Sequence, residues 1–283
     1  MSVLVLGATG ALGRLVLTEL RKRGLTATDI TAAGRKKDVL DALAADGYRT
    51  AQVELGDAEQ VRAAVTGHDQ VVLISGIDPD RVQQHRHVID AAKDAGVRHF
   101  YYTSGLRVDD PSYPLGADHI ATEDAITASG LTYTIMRNAW YIENYIQAMH
   151  GAAQTGVFTA AVGDGRIAPA SRQDLAEALA VTVTTDGHDD RTYHLSGDRD
   201  YTYHDIAAAM TEVLGTPVRY QPVTGEQYQA ILTGAGVDEG TAAFLAVLDG
   251  NIGAGIQAHT GDQLTRLIGR RTTPLADGLR QNL

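Results

Sequence analysis

Near residue 10 the chain runs Val3-Leu4-Val5-Leu6-Gly7-Ala8-Thr9-Gly10-Ala11-Leu12-Gly13. The apolar run predicts a buried strand, and the pattern from Leu12 onward predicts a helix. Glycines in the spacing G-x-x-G-x-x-G allow a tight turn, a close approach of phosphate to the backbone and close packing of helix on strand. Free N–H groups and the helix dipole attract an anion here. The segment therefore predicts a diphosphate site, with an ordinary strand-to-helix loop as the alternative; the binding residues would be Gly7, Thr9, Gly10, Ala11, Leu12 and Gly13.

The first half of the chain continues in the same alternation of strand and helix. Short apolar runs predict strands at Val3–Leu6, Ile30–Ala33, Ala51–Leu55, Gln70–Ser75, Phe100–Thr103 and Tyr133–Met136. Helical patterns lie between them at Leu12–Arg23, Lys37–Ala45, Glu59–Val65, Arg81–Ala95 and His119–Ala128. This alternation predicts an α/β fold with a doubly wound, Rossmann-type parallel sheet.

The pattern changes after about residue 150. Glycine-rich turns, a strand at Thr192–Leu195 and helices announced by capping signals at Ser171 and Thr202 replace the regular alternation. We therefore expect a nucleotide-binding Rossmann domain at 1–150, to which a strand near 191–197 can return. Residues 151–283 are expected to form a smaller, mostly helical lobe that binds the substrate.

Composition excludes several classes of function. The 283 residues include 35 acidic and 24 basic side chains, a formal charge of −11, which argues against direct binding to nucleic acid. The absence of cysteine excludes disulfides, zinc-thiolate sites and thiol nucleophiles, so any redox chemistry must come from a cofactor. The first apolar run is too short for a signal peptide or a membrane span. We expect a cytoplasmic protein without a membrane span, for which a homodimer is compatible with the sequence.

Charged residues after the second and third strands indicate which dinucleotide would bind. An NAD-selective enzyme presents Asp or Glu after the second strand, whereas this chain has Gly34-Arg35-Lys36-Lys37. Cations at a helix start oppose the helix dipole, so an anionic partner explains them better than a solvated basic cluster does. We therefore predict NADP(H), with Arg35 as the main contact to the 2′-phosphate and Lys36 beside it. Asp57, after the third strand, is predicted either to reach the adenine or to cap the next helix.

Further motifs give the chain a specific resemblance. Besides the glycine turn they are His85-Arg86-His87-Val88-Ile89-Asp90-Ala91-Ala92-Lys93, Tyr102-Thr103-Ser104, Arg137-Asn138-Ala139-Trp140-Tyr141-Ile142-Glu143-Asn144-Tyr145 and Leu267-Ile268-Gly269. Almost end to end, the chain resembles the NmrA-like branch of the atypical short-chain dehydrogenases/reductases, and most closely the type 2 NAD(P)H:quinone oxidoreductases. The triphenylmethane dye reductases share this layout.

The resemblance implies a nicotinamide over the carboxyl ends of the fourth to sixth strands, which is also where open α/β sheets bind ligands in general. The residues implied there are Ser75, Gly76, Ile77, Thr103, Ser104, Asn138, Trp140, Tyr141 and Asn144. Of these, Asn138 and Tyr141 are also candidates for catalysis. Core packing is the alternative for the two aromatic residues, and a turn or helix-end role is the alternative for the two asparagines.

The usual proton donor of ketone-reducing relatives is missing. A Tyr-x-x-x-Lys pair cannot form, because the four lysines follow Thr18, Ala32, Ala33 and Ile89 by four residues. Where the pair would fall, His119 and Glu123 share a helix face, as they do in the quinone reductase family; a surface ion pair is the alternative. A quinone can be reduced without this donor, because hydroquinone is far more acidic than an alcohol and its anion needs no strong acid. His119 or water could protonate that anion. His85 and His87, two apart on a helix, do not predict a metal site.

These observations predict an NADPH-dependent reductase that transfers a hydride to a quinone or a similar planar conjugated acceptor, without flavin. Reduction of a dye or of a biosynthetic intermediate is the nearest alternative. A second alternative, from a different class, is a non-catalytic NADP(H)-binding redox sensor of the NmrA type, which the missing Tyr-x-x-x-Lys pair favours.

Overall fold

The computed structural model of the protein describes residues 1–281. Within that range the strands are β1 (Val3–Leu6), β2 (Ile30–Gly34), β3 (Arg49–Gln52), β4 (Gln70–Ile74), β5 (His99–Gly105), β6 (Tyr133–Asn138), β7 (Val157–Ala160), β8 (Arg166–Ile167), β9 (Arg191–Leu195), β10 (Tyr201–Thr202) and β11 (Arg219–Pro222). The helices over the same range are α1 (Ala11–Lys22), α2 (Lys37–Ala45), α3 (Ala58–Val65), α4 (Arg81–Asp94), α5 (Gly116–Ser129), α6 (Ile146–Thr155), α7 (Arg172–Thr184), α8 (Tyr203–Leu214), α9 (Gly225–Gly234), α10 (Glu239–Gly253), α11 (Gln263–Ile268) and α12 (Leu275–Arg280). Short 3-10 helices lie at Ala27–Asp29 and Ile142–Tyr145.

The main sheet has the order β3-β2-β1-β4-β5-β6-β9 in the described part of the chain. The first six strands pair in parallel, from β3 through to β6. Their order reverses at β1, which is the switch point of a doubly wound sheet, where ligands bind outside the carboxyl ends of the strands. The predicted α/β Rossmann fold is confirmed, and β9 stands next to β6 at one edge.

The central strands are buried on both faces, as their apolar composition predicts. Every residue of β1 is buried, and so are Val71, Val72 and Leu73 of β4. Leu4 and Leu6 of β1, Val71 and Leu73 of β4, and Phe100 form one core cluster with apolar residues of the flanking helices. A rigid sheet of this kind fixes the positions of the loops at its carboxyl edge.

The chain divides into two compact units that are not simple halves. The first contains Met1–Gly105, Ala117–Asn138 and Arg172–His194, and so includes helix α7. The second contains Leu106–Gly116, Ala139–Ser171 and the chain from Leu195 onward. The second unit is mostly helical, with a core of its own in which Tyr145, Phe158 and Tyr203 pack together. The assignment of 1–150 to the dinucleotide and 151–283 to the substrate stays a prediction.

Two features differ from the sequence-based expectation. The third strand is Arg49–Gln52 and not Ala51–Leu55, because this edge strand pairs only with β2, in a register that aligns Arg49 with Thr31. Val53 belongs to the following loop, where it is buried and donates its N–H to the Gly34 carbonyl oxygen. The two-stranded sheets β7–β11 and β8–β10 were not anticipated, since they join short segments far apart in sequence.

Over residues 1–281, none of the helices combines the length and the apolar content needed to cross a lipid bilayer. Within the same residues, the acidic and histidine side chains form no group of three placed to hold a metal ion.

Candidate active site

The glycine turn after β1 has a geometry that other residues could not adopt easily. Gly7 has a φ of +86°, and the N–H groups of Gly7 and Ala8 both donate to the Ala33 carbonyl oxygen of β2. A Cβ atom on Gly13 would lie 2.3 Å from the Gly7 carbonyl oxygen. Thr9 is buried in the turn, with its side chain against Gly34. The turn therefore brings the start of α1 directly against the end of β1.

The amino terminus of α1 meets the requirements of an anion site. Gly10 is its N-cap and, among the described residues, no side chain accepts a hydrogen bond from the first turn, which also lacks an acidic residue. Ala11, Leu12 and Gly13 form that turn, in a helix of 12 residues. An uncapped helix start with a partial positive charge favours a phosphate. The residues predicted to bind the diphosphate are thus brought together by the fold.

The predicted 2′-phosphate contacts lie beside this turn. Arg35, directly after β2, is 60% exposed and lies 3.3 Å from a carboxylate oxygen of Asp78. Lys36 is the N-cap residue of α2. Lys37 instead forms an ion pair within its own helix, with its Nζ 2.7 Å from Asp41. Arg35 and Lys36 therefore remain the predicted contacts to the 2′-phosphate. Arg35 also pairs with Asp78, a carboxylate that the sequence did not point to.

Asp57 acts as a helix cap. Its Oδ1 accepts the backbone N–H groups of Glu59 and Gln60, and its Oδ2 accepts the side-chain amide of Gln60. The hydrogen bond from the Gln60 backbone is the largest cause that lowers the pKa of Asp57. Capping alone accounts for a carboxylate at this position, and contact with adenine stays a prediction.

The carboxyl ends of β4 and β5 are tied together. The Ser75 N–H donates to Thr103 Oγ1 at 3.0 Å, and Thr103 is buried. Gly76 is exposed, and the Ile77 side chain is 88% exposed. The fold thus brings Ser75 next to Thr103, whereas Ile77 stands out from the loop.

A buried ion pair lies behind the ends of β5 and β6. Arg137 donates from Nε and one terminal nitrogen to the two carboxylate oxygens of Glu123, at 3.0 and 2.6 Å. The hydroxyl of Ser104, on the neighbouring strand, donates to the same carboxylate at 2.6 Å. Glu123 therefore accepts hydrogen bonds from Ser104 and Arg137. The structure does not pair it with His119, which was the alternative.

Asn138, the last residue of β6, carries an unused acceptor. Its side chain is 7% exposed, and Oδ1 has no hydrogen-bond partner among the described residues. A buried polar atom without a partner costs about 1–3 kcal/mol, so such an atom at a strand end needs an explanation. A ligand with an amide N–H, such as a nicotinamide carboxamide, would satisfy it. This orphaned atom is the observation by which the site fits the predicted cofactor.

His119 is held in its neutral form. Its Nδ1 lies 2.8 Å from the Tyr102 hydroxyl. Burial, followed by the charge of Arg81, lowers the pKa of His119 to about 3, while burial raises the pKa of Tyr102. A Tyr102 hydroxyl that donates to Nδ1 leaves the single ring proton on Nε2. At neutral pH His119 can therefore offer an N–H, but it is not an imidazolium acid.

The remaining predicted residues belong to the second unit. The Trp140 carbonyl oxygen accepts the Ala170 N–H at 3.0 Å, and Tyr141 forms an isolated bridge with Ala170. The Trp140 side chain is half-buried and packs against that unit's apolar core, which agrees in part with the packing alternative. Asn144 is exposed in a 3-10 helix. Their contacts with cofactor or acceptor stay predictions.

Comparison with known proteins agrees with this geometry. A family model described as NAD(P)H-binding matches residues 7–186, which include the glycine turn, the strand ends and α7. The chain belongs to this NAD(P)H-binding family.

Relatives in the family match nearly the whole chain. Quinone oxidoreductase 2 of Escherichia coli (strain K12) is 38% identical over 278 residues, which cover 98% of this chain and 97% of the relative. The E. coli NADPH-dependent quinone oxidoreductase complexed with NADPH has a TM-score of 0.94 with 38% identity, over 99% of both chains. Citrobacter sp. triphenylmethane reductase complexed with NADP(H) has a TM-score of 0.94 with 34% identity, over 100% of both chains. The resemblance inferred from the motifs is confirmed.

Several polar residues of the site were missed by sequence reasoning. Tyr102 and Arg137 lie within the motifs but were not predicted as site residues, and neither was Asp78. Arg137 did give a signal, because a charged residue directly after the apolar run of a buried strand needs a partner.

The contact between Gly13 and the Gly7 carbonyl predicts a large effect of a single methyl group. We expect Gly13→Ala to lower the free energy of unfolding by about 2 kcal/mol, since the new Cβ would lie 2.3 Å and 2.7 Å from backbone atoms that cannot rotate away. Urea denaturation measures the change. Gly151→Ala in α6 is the matched control, because no described atom lies within 4 Å of its added Cβ; it should be neutral or slightly stabilising. A Gly13→Ala protein that unfolds like the wild type would contradict the geometry.

Burial of His85 predicts a loss of stability in mild acid. His85 is 1% exposed, its Nδ1 lies 3.0 Å from Thr122 Oγ1, and burial followed by Arg81 lowers its pKa to about 4. Because the unfolded chain binds a proton near pH 6.5 and the folded chain does not, stability rises with pH between about 4 and 6.5 and falls as pH is lowered. The contribution of His85 from pH 7 to pH 5 is about 2 kcal/mol.

Denaturation at the two pH values tests this. His85→Gln should lose less stability than the wild type on going from pH 7 to pH 5, because glutamine can bond Thr122 but does not titrate. The exposed His150→Gln is the control and should keep the wild-type dependence. Equal losses in His85→Gln and wild type would show that His85 is not the group responsible.

Proposed function

We propose that the protein is an NADPH-dependent reductase that transfers a hydride to a quinone or a similar planar conjugated acceptor, without flavin and without a Tyr-x-x-x-Lys pair. The observation that carries the proposal is the buried, unpartnered Oδ1 of Asn138 at the carboxyl edge of the sheet, one residue after Arg137, which pairs in register with Ser104. The names of the E. coli relatives, which include an NADPH-dependent quinone oxidoreductase, support the same activity.

The chain's own residues bind and orient the cofactor. We assign the diphosphate to the N–H groups at the start of α1, and the 2′-phosphate to Arg35 and Lys36. We assign the nicotinamide end to Ser75, Thr103, Ser104 and Asn138. The Ser75 N–H donates to Thr103, and the Ser104 hydroxyl donates to Glu123 of α5. When bound, NADPH supplies the hydride that reduces the acceptor. The protein contributes position and a fixed polar environment, which lower the barrier for a reactive pair of molecules.

Proton delivery needs little help from the protein. Reduction of a quinone leaves a hydroquinone anion that is much less basic than an alkoxide, so the reaction needs no strong acid at this step. His119, neutral and hydrogen-bonded to Tyr102, can donate its remaining ring N–H to this anion as a hydrogen bond, but it does not give up that proton. Water supplies the proton. A strongly activated tyrosine is not required for this acceptor class.

We assign Trp140 and Tyr141 to the acceptor, because a flat conjugated molecule stacks well on aromatic side chains. The likeness to Citrobacter sp. triphenylmethane reductase favours a dye as the second candidate acceptor. The predictions of a cytoplasmic location, of a homodimer and of no direct contact with nucleic acid are retained as part of this proposal.

Kinetics with a panel of acceptors tests the reaction, and Asn138 tests the observation behind it. We expect the wild type to oxidise NADPH with quinones, and Asn138→Ala to raise the NADPH Kd by about tenfold through the loss of one hydrogen bond. NADPH consumption and a fluorescence titration measure the two effects. Asn251→Ala is the matched control, since its Oδ1 also lacks a partner among the described residues but lies in α10 of the second unit.

The possible results separate the candidates. Turnover with triphenylmethane dyes and not with quinones would replace the quinone by the dye. Tight NADPH binding without turnover on any acceptor would support the redox sensor instead. Equal NADPH Kd values for Asn138→Ala and Asn251→Ala would remove the main support for placing the nicotinamide beside Asn138.

A second prediction concerns His119. If His119 stabilises the hydroquinone anion by this hydrogen bond, His119→Ala should lower kcat with quinones by about tenfold or more, without a comparable change in the NADPH Kd. Because its pKa is about 3, this group should add no break to the pH profile between pH 5 and 8. His87→Ala, on α4, is the control. Unchanged turnover in His119→Ala would show that the anion needs no hydrogen bond from His119 and leave this residue a structural role.

A further inference from the structure

We propose that Asp78 is a specificity-determining residue, whose carboxylate occupies the anion position in front of Arg35 and thereby limits the preference for NADPH over NADH. The inference rests on the proposed function, in which Arg35 binds the 2′-phosphate. It adds a residue outside the motifs that point to the cofactor.

The position of the pair follows from the sheet topology. Strands β2 and β4 lie on either side of β1, and the glycine turn follows the carboxyl end of β1. Arg35 comes directly after β2, and Asp78 lies in the loop after β4. The bond between them, 3.3 Å from guanidinium nitrogen to carboxylate oxygen, therefore joins the two loops that flank the predicted diphosphate site.

The surrounding charges make Arg35 the partner of this carboxylate. Lys37 is balanced within α2 by Asp41, at 2.7 Å. The other carboxylate of the loop, Asp80, accepts the side-chain amide of Gln84 at 2.7 Å and so serves α4. Asp78 is thus the acidic side chain of this loop that lies against Arg35.

A carboxylate in this place acts oppositely on the two cofactors. A 2′-phosphate bound to Arg35 would lie near the Asp78 carboxylate, which contacts one terminal nitrogen of the same guanidinium, and the two like charges repel each other. The free 2′-hydroxyl of NADH is instead a donor, and a carboxylate is the group that accepts it in NAD-selective sites. Asp78 therefore weakens NADPH binding and does not weaken NADH binding.

The size of the effect is limited by exposure. Arg35 is 60% exposed and Asp78 32%, and ion pairs in such positions are weak and screened by salt. We expect removal of the Asp78 charge to raise the ratio of the NADH Kd to the NADPH Kd by about fivefold at low ionic strength. The gain should shrink as salt is added, because the interaction is electrostatic.

Titration of the cofactor-free, full-length protein with each cofactor tests the inference. Asp78→Asn keeps the size of the side chain and removes its charge; its NADPH Kd should fall about fivefold while its NADH Kd does not fall. Asp80→Asn removes a charge from the same loop without touching Arg35, and its Kd ratio should equal that of the wild type. An Asp78→Asn ratio equal to that of Asp80→Asn would overturn the proposal.

Arg35→Ala, titrated in the same way, separates this inference from the proposed function. If Arg35→Ala weakens NADPH binding selectively but Asp78→Asn does not change the ratio, only the role of Asp78 is wrong. If Arg35→Ala leaves the ratio of the wild type, the 2′-phosphate contact itself is wrong, and the inference about Asp78 is overturned with it.

Discussion

The close contact between Gly13 and the Gly7 carbonyl oxygen is the constraint on which the first unit depends. Because a Cβ at residue 13 would lie 2.3 Å from that oxygen, α1 can begin this close to β1 only with glycine at that position. The contact points the uncapped start of α1 at the carboxyl edge of the sheet, between the ends of β2 and β4. A helix that begins at the switch point of a sheet attracts a phosphate through its dipole and its free N–H groups, without any contribution from side chains. In the proposed function, the charged residues that follow β2 and β4 then determine which dinucleotide phosphate is bound.

The far side of the same edge is organised by buried charge. Glu123 and Arg137 form a two-point ion pair, and Ser104 adds a third hydrogen bond to the carboxylate. A buried pair of this kind gains little stability, since desolvation offsets the attraction, but its geometry is rigid. It holds Ser104 and the end of β6 in place and leaves Asn138 with an acceptor available to a ligand. Burial, and after it the charge of Arg81, keeps the pKa of His119 low and the ring neutral, which suits an acceptor that needs only a hydrogen-bond donor.

Binding of the dinucleotide and binding of the acceptor by different residues would let one fold carry out related reductions. The sheet and the glycine turn bind a dinucleotide whatever the acceptor is, whereas acceptor choice depends on residues outside that framework. Trp140, which we propose for the acceptor site, is half-buried and is held through its backbone carbonyl by Ala170. Relatives named for quinones and for triphenylmethane dyes share nearly the whole chain with this protein.

The local sequence was sufficient for the glycine turn, for the six parallel strands except the position of β3, and for the starts of α2 and α8, because apolar runs, glycine spacing and capping residues act over a few neighbours. It left Asp57 undecided between two roles, and the hydrogen bonds to Glu59 and Gln60 show the cap. Only the tertiary structure paired Arg35 with Asp78, 43 residues away, and Glu123 with Arg137. It also formed the small sheets of the second unit. These contacts depend on how the sheet brings distant strand ends together, and a pattern read over neighbouring residues does not contain that information.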